Sequence, residues 1–158
     1  MASGRKLRVG VIGAGGAGGG AAARAKESPV MELAAIAEVD DALRTCMAEK
    51  FGVPGYKDYR ELLKRDDIEM VYSGTPNWIH AEVAVAALDA GKHIFSEKPM
   101  GMNRREIALM LAAEKRSGKF LQIDFEMRYS VMLKRIRDIV DAAELGEVGV
   151  LSNGFREL

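Results

Sequence analysis

The 158-residue sequence has a single cysteine, no excess charge of either sign and no long apolar run. With Cys46 alone, no disulfide can form within the chain, which fits a reducing compartment. Lys and Arg number 23 and Asp and Glu number 23, so the charge does not favour a nucleic acid or an acidic membrane as partner. No segment is apolar for the length of a membrane-spanning helix, and the first residues carry no signal-peptide core. The sequence therefore predicts a soluble, cytoplasmic protein with neither of those partners.

What the sequence does contain is an alternation of short apolar runs and helical segments. Hydrophobic residues make up 48% of the chain, enough for the core of about one domain. The predicted strands are residues 7–13, 31–38, 68–74, 93–97 and 120–125, and the predicted helices are residues 18–27, 41–52, 59–63, 80–91, 103–117 and 131–143. The strands are almost continuously apolar, as strands covered on both faces are. This order predicts an α/β fold with a doubly wound parallel sheet, whose ligand lies beyond the carboxyl ends of the strands.

A glycine-rich loop follows the first predicted strand. It has G-x-G-x-x-G spacing at Gly13, Gly15 and Gly18, with Gly16 and Ala17 inside the loop. The first glycine permits a tight turn, the second lets a pyrophosphate approach the backbone, and the third lets helix and strand pack closely. The position between a strand and a helix favours a dinucleotide site over the alternative, a flexible glycine-rich loop.

An acidic residue follows the second predicted strand. Glu38 stands twenty positions after Gly18, where a carboxylate can accept hydrogen bonds from a ribose diol and would repel a 2′-phosphate. The sequence therefore predicts NAD in preference to NADP. Asp40 is a rival for this role, and an ordinary surface acid is the alternative.

Small and polar residues follow the strand at 68–74. Of these, Thr75, Pro76, Asn77 and His80 could line the dinucleotide cleft, with His80 at a helix start. A capping or packing role is the alternative for His80. Metal binding is not expected, because His80, His93 and Cys46 show no ligand spacing.

The strand at 93–97 ends in Glu97, Lys98 and Pro99. Pro99 disfavours helix at Lys98 and holds it extended, and the bond between them can be cis. A lysine held beside a cationic nicotinamide could exchange a proton with a substrate hydroxyl, while Glu97 orients it or binds the nicotinamide ribose. From the spacing alone, an ordinary surface ion pair between Glu97 and Lys98 is as good an interpretation as a catalytic site.

Taken together, these segments resemble the glucose–fructose oxidoreductase and inositol dehydrogenase family, known as Gfo/Idh/MocA. The matching segments are VGVIGAGGAG, Glu38, FGVPGYKDYRELL, GTPNWIHAEVAVAALDAGKHIFSEKPM, FEMRYS and LGEVG, in the family's order. The resemblance implies a Rossmann-type domain and an NAD(P)-dependent oxidoreductase that acts on a sugar, cyclitol or related polyol. It also implies that Lys98 contacts the substrate hydroxyl as a catalytic residue and that Glu97 lies near the nicotinamide ribose. Thr75, Pro76, Asn77 and His80 match residues on the cofactor side.

One departure from the family concerns the second domain, which in the family carries substrate contacts and commonly a D-x-x-x-H motif. No such motif follows FEMRYS here, and the family's subunit contacts also mostly use that domain. We therefore expect residues 1–125 to form the cofactor domain, and 126–158 a connecting helix and the first strand of a truncated second domain. Such a chain would bind cofactor with little turnover, and a homo-oligomer is expected only for a full-length form.

Two other interpretations remain. The chain could be a non-catalytic dinucleotide-binding module or sensor. A methyltransferase or a short-chain reductase fits less well, because the glycine spacing differs from G-x-G-x-G and no Tyr-x-x-x-Lys is present.

Overall fold

The computed structural model describes residues 4–144 and 146–147. The chain forms two compact units that divide between Asp124 and Phe125. The first strand expected for the second domain falls at residues 148–153, which lie outside the described residues.

The first unit is built on a sheet of six parallel strands. These are β1 (Leu7–Ile12), β2 (Met31–Ala37), β3 (Gly55–Tyr56), β4 (Met70–Ser73), β5 (His93–Ser96) and β6 (Leu121–Ile123). Their order across the sheet is β3-β2-β1-β4-β5-β6, and every neighbouring pair is parallel. The strand order reverses between β1 and β4, so the doubly wound α/β prediction is confirmed.

Helices connect the strands. They are α1 (Gly16–Glu27), α2 (Asp41–Phe51), α3 (Tyr59–Leu63), α4 (His80–Asp89) and α5 (Arg104–Ser117) in the first unit, with α6 (Val131–Asp141) in the second. Short 3₁₀ helices cover Asn77–Ile79 and Glu126–Tyr129. Side chains cap three of these helices: Asp40, Asp58 and Asn103 accept hydrogen bonds from the first turns of α2, α3 and α5. No helix of the described residues is long and apolar enough to cross a membrane.

One strand was not predicted, and several predicted boundaries lie one or two residues away from the observed ones. The two-residue strand β3 was not predicted, because so short a strand has no apolar run to signal it. Helix α1 begins two residues before the predicted Gly18. Strand β4 begins at Met70 rather than Ile68; Ile68 is buried in the core but precedes the ladder.

Apolar side chains cover both faces of the sheet. One cluster contains Ile12 with Val83, Leu88 and Met110 from α4 and α5. The other contains the neighbouring Val11 with residues of α1, β2 and α2, among them Ala22, Ile36 and Phe51. Adjacent residues of a strand point to opposite faces, so the continuous apolar runs fill both clusters.

Candidate cofactor-binding site

Sheet hydrogen bonding continues past the carboxyl ends of the strands into the loops where the site residues lie. The backbone N–H groups of Gly13 and Gly74 donate to Ala37 and Ile12, each over 2.8 Å. The N–H groups of Glu38 and Glu97 donate to Tyr56 and Ser73, each over 2.9 Å. The loops after β1, β2, β4 and β5 are therefore held at one edge of the sheet by the ladder itself.

Three glycines bring two of these loops into backbone contact. Gly13 has a φ of +79°, a conformation that glycine adopts readily. A Cβ at Gly18 would lie 1.7 Å from the Gly13 carbonyl oxygen, and one at Gly74 would lie 2.7 Å from the Gly18 nitrogen. No side chain fits at either position, so the start of α1 packs directly on the turns after β1 and β4.

The amino terminus of α1 is open toward the edge of the sheet. Gly15 caps the helix without a side-chain hydrogen bond, and the first turn holds no acidic residue. A Cβ built at Gly15 or Gly16 meets nothing within 4 Å beyond its chain neighbours and its own helix. The leading N–H groups of a helix lack partners within it and favour anions, so this terminus fits the pyrophosphate of a dinucleotide.

Glu38 and its rival Asp40 have different roles in the structure. Glu38 Oε2 accepts a hydrogen bond of 2.8 Å from the Ala14 N–H of the glycine loop, and its Oε1 accepts one of 3.1 Å from the Asp40 N–H. The Asp40 carboxylate instead caps α2 by accepting from the Leu43 N–H over 2.7 Å. Of the two acids, Glu38 lines the pocket described next.

A pocket of about 430 Å³ lies where these loops meet. Five of its lining residues are ones that the sequence predicts for the cofactor site: Gly13, Gly15, Glu38, Thr75 and Pro76. Gly74, in the loop after β4, lines it as well. Sequence reasoning missed four others, which are Val39, Lys57, Tyr59 and Ile79. Lys57 and Tyr59 follow β3, so recognising a third strand beside β2 would have placed them at this edge.

Asn77 and Thr75 belong to the loop after β4. The Thr75 hydroxyl lies 3.0 Å from the hydroxyl of the buried Ser73, which fixes the loop to the strand end. Asn77 begins the 3₁₀ helix and is exposed. Neither Asn77 nor His80 is among the residues that line the pocket.

His80 lies beneath the loop, at the start of α4, and is completely buried. Its Nδ1 lies 2.8 Å from the Pro99 carbonyl oxygen and its Nε2 lies 2.8 Å from the Thr75 carbonyl oxygen. A neutral imidazole has one N–H, so it donates to one of these acceptors at a time; donating to both requires a second ring proton. His80 thus links the Thr75 loop to the Lys98-Pro99 turn from below.

Glu97 and Lys98 follow β5 and lie beside Tyr72 of β4, which sequence reasoning did not single out. The Tyr72 hydroxyl donates to Glu97 Oε1 over 2.7 Å, and the Lys98 Nζ lies 3.4 Å from Glu97 Oε2. Lys98 is exposed and its peptide bond to Pro99 is cis.

The same contacts set the charge states of this cluster. Burial alone would raise the pKa of Glu97, but the Tyr72 hydrogen bond and the Lys98 charge outweigh it, so this pKa lies below its ordinary value. Burial and the bond to Glu97 raise the pKa of Tyr72. Glu97 is therefore held as a carboxylate between a hydroxyl and an ammonium group.

In the part of the chain that the structure describes, neither a metal cluster nor the groove at the other edge of the sheet offers a comparable site. Among the described residues, no group of His, Cys, Asp or Glu side chains could hold a metal ion. A groove of about 610 Å³ lies at the opposite edge of the sheet, near the amino ends of β1 and β2. Its arginines Arg8 and Arg65 are both paired with Asp67, at 2.7 and 2.6 Å. The loops at the carboxyl edge are the better candidate.

Solved structures with the same fold include proteins bound to dinucleotides. A scyllo-inositol dehydrogenase from Lactobacillus casei with bound NAD(H) and scyllo-inositol matches with a TM-score of 0.82 at 25% identity, over 90% of this chain and 43% of that chain. A 3-ketoreductase from Actinomadura kijaniata in complex with NADP matches with a TM-score of 0.82 at 31% identity, over 90% of this chain and 46% of that chain.

Sequence comparison leads to the same group of proteins. Inositol 2-dehydrogenase of Salmonella typhimurium is 31% identical over 145 residues, which are 89% of this chain and 43% of that enzyme. The chain thus spans less than half the length of these relatives. The family model described as the oxidoreductase family with an NAD-binding Rossmann fold matches residues 7–125. With this match and the parallel sheet described above, the chain belongs to the Gfo/Idh/MocA family of oxidoreductases.

Proposed function

We propose that this chain is the cofactor-binding part of an NAD(P)-dependent oxidoreductase that transfers a hydride between nicotinamide and a sugar, cyclitol or related polyol. The observation that carries the proposal is the pocket at the carboxyl edge, where an uncapped helix terminus, Glu38 and the Thr75 loop meet. When bound, the cofactor supplies or accepts the hydride. The substrate class rests on the relatives, whose names include inositol dehydrogenases.

We propose NAD as the preferred cofactor. The Glu38 carboxylate lines the pocket and is already fixed by two backbone N–H groups, so it is oriented to accept hydrogen bonds from a ribose diol. The negative charge of the same carboxylate would repel the 2′-phosphate of NADP. The pyrophosphate would lie at the amino terminus of α1, near Gly15, Gly16 and Ala17.

Lys98 is the proposed catalytic residue. Its ammonium group is exposed at the end of β5 and close to the Glu97 carboxylate, so it is free to contact a substrate hydroxyl and exchange a proton with it. Glu97 orients Lys98 and is available to the nicotinamide ribose.

We expect little or no turnover from the 158-residue chain alone, because neither histidine offers a second acid/base group. The sequence has two histidines. His80 is fully buried, and the His93 Nδ1 accepts a hydrogen bond of 3.0 Å from the Phe120 N–H at the start of β5, away from the carboxyl edge. Steady reduction of NAD by the purified chain with a polyol would contradict this expectation.

A side-by-side fluorescence titration of the purified chain with NADH and NADPH tests the proposal. We expect saturable binding of NADH and weaker binding of NADPH. Absence of binding by either dinucleotide to the folded chain would overturn the proposed function.

A charge variant at Gly15 locates the binding site. Gly15→Asp introduces a carboxylate at the cap of α1, which stabilises the helix but competes with the pyrophosphate. Gly15→Asn has the same shape without the charge, and open space at Gly15 accommodates both side chains. We expect Asp to weaken NADH binding much more than Asn, with unchanged circular dichroism in both. Equal effects of the two would contradict placement of the pyrophosphate here.

A further inference from the structure

Two cations lie near Glu38 at the rim of the candidate pocket. Lys57 lines the pocket directly. Arg44 reaches the same loop from α2, where its Nη1 donates to the Glu38 carbonyl oxygen over 3.0 Å. A 2′-phosphate bears about −1.5 to −2 charges near pH 7 and is recognised by arginine and lysine side chains. On residue type alone, this rim could accept NADP.

Both cations are already paired with one carboxylate. Asp41 Oδ1 lies 2.6 Å from Arg44 Nη2, and the Lys57 Nζ lies 3.1 Å from the same Asp41 carboxylate. The hydrogen bonds from Arg44 and then Lys57 hold the pKa of Asp41 below its ordinary value, so it is ionised near neutral pH. The four side chains Glu38, Asp41, Arg44 and Lys57 therefore carry no net charge.

The packing of Arg44 keeps this arrangement in place. Its side chain is only 19% exposed, because it lies between β3 and the first turn of α2; a Cβ at Gly55 would lie 3.0 Å from the Arg44 Cγ. Asp41 is the first residue of α2, so the helix fixes its distance from Arg44 three positions later. Lys57, by contrast, is exposed and can turn toward another anion once Asp41 no longer holds it.

We propose that Asp41 is a specificity-determining residue, which neutralises Arg44 and Lys57 and so removes the cations that a 2′-phosphate would need. This inference rests on the proposed dinucleotide site and extends it beyond Glu38. Glu38 repels the 2′-phosphate directly, whereas Asp41 acts by occupying its potential partners.

The test is the ratio of NADPH to NADH affinity in Asp41→Asn, measured by fluorescence titration. We expect NADPH binding to strengthen about fivefold, the scale expected for releasing two ion pairs at the protein surface, while NADH binding changes less than about twofold. The gain should shrink in concentrated salt, because the new contacts are exposed. It should also fall in the double variant Asp41→Asn with Lys57→Met, because only Arg44 then remains to attract the 2′-phosphate.

A matched control removes another surface carboxylate. Glu61 pairs with Lys64 over 2.6 Å three positions away and does not line the pocket, so Glu61→Gln should leave the ratio unchanged.

The outcomes separate this inference from the proposed function. If the unmodified chain binds neither dinucleotide, the proposed site is wrong and this inference with it. If NADH binds but Asp41→Asn leaves the affinity ratio unchanged, or Glu61→Gln shifts it equally, the role of Asp41 alone is overturned.

Discussion

Tyr72 of β4 and Glu97, the residue after β5, are joined by a hydrogen bond of 2.7 Å across neighbouring strands. The Tyr72 ring also stacks on Phe95, its cross-strand partner, with 5.7 Å between the ring centroids. The hydroxyl is thus held in place by the sheet, and through Glu97 it helps to position Lys98.

Removing the Tyr72 hydroxyl should raise the pKa of Glu97. In Tyr72→Phe the carboxylate stays half-buried but loses its strongest stabilising hydrogen bond, so burial is opposed by Lys98 alone. Titration of the Glu97 carboxyl carbon by NMR measures this change. Tyr59→Phe is the control, because it removes a similar hydrogen bond of 2.9 Å to a different acid, Glu82; an equal shift there would contradict a local effect.

The same pair gives a pH dependence of stability. The pKa of Glu97 is lower in the folded state than the ordinary value of 4.5. The stabilisation that Glu97 gives the fold is therefore complete above about pH 4.5 and is lost as the pH falls through the pKa of the folded state. Tyr72→Phe should reduce or reverse this acid-dependent loss in the free energy of unfolding, measured by urea titration at pH 7 and pH 3. An identical pH dependence in both proteins would count against the pairing.

The charge of Glu38 should set the cofactor preference. Glu38→Gln keeps an oxygen for the Ala14 N–H but removes the repulsion of a 2′-phosphate, so we expect the NADPH to NADH affinity ratio to rise about tenfold. Asp40→Asn is the control, since asparagine also caps α2. A larger change with Asp40→Asn than with Glu38→Gln would transfer the role to the rival acid.

Gly18 should not tolerate a methyl group. Gly18→Ala places a Cβ 1.7 Å from a backbone oxygen, and the displacement this forces should lower the free energy of unfolding by about 3 kcal/mol or more. Gly20→Ala, in the same helix, meets only the end of the Arg24 side chain at 3.4 Å and should stabilise by about 0.5–1 kcal/mol. Urea denaturation of both variants measures the difference, and equal stabilities would contradict the close contact.

His80 should stabilise the fold through its two carbonyl contacts. In His80→Phe whichever of the Thr75 and Pro99 carbonyl oxygens accepts the imidazole N–H loses its donor, which should cost about 1–3 kcal/mol in unfolding free energy. The amide N–H groups in His80→Asn and His80→Gln lie near the positions of Nδ1 and Nε2 respectively. Each of these variants should therefore recover part of the lost unfolding free energy. Stability of His80→Phe within about 0.5 kcal/mol of the unmodified chain would rule out these bonds as important.

Lys98 should discriminate between the two oxidation states of the cofactor. If its ammonium group lies near the nicotinamide, it disfavours the cationic ring of NAD⁺, so Lys98→Met should improve NAD⁺ binding relative to NADH by a few fold. Lys98→Arg keeps the charge and should keep the ratio. Parallel titrations with NAD⁺ and NADH measure the ratio of the two affinities. An unchanged ratio in Lys98→Met would place the lysine away from the nicotinamide ring.

The fold was largely predictable because long apolar runs and helix caps are local signals. Neighbouring residues alone predict the strand that contains Val9 and Val11 and the caps at Asp58 and Asn103. For the cap of α2 they offer both Asp40 and Asp41, and the structure shows Asp40. The two-residue strand β3 could not be predicted in this way, since its place depends on pairing with β2.

The site was predictable where it follows a strand and unpredictable where it depends on contacts between strands. Glu38 follows a recognisable strand, and the structure places it at the pocket. Tyr72 lies inside an apolar run and looks like an ordinary core residue until β4 is placed beside β5. Lys57 and Tyr59 could not be assigned without β3. The catalytic role of Lys98 and the cofactor roles of all the candidate site residues remain predictions.

The backbone contact between Gly13, Gly18 and Gly74 has a consequence for engineering the cofactor preference. Because the three positions hold the loops together without side chains, a mutational library that varies them would mostly yield misfolded members. Val39 and Lys57 line the same pocket but are exposed, so they can be randomised with little loss of folding. A redesign for a different dinucleotide would keep the glycines constant and search the outer rim.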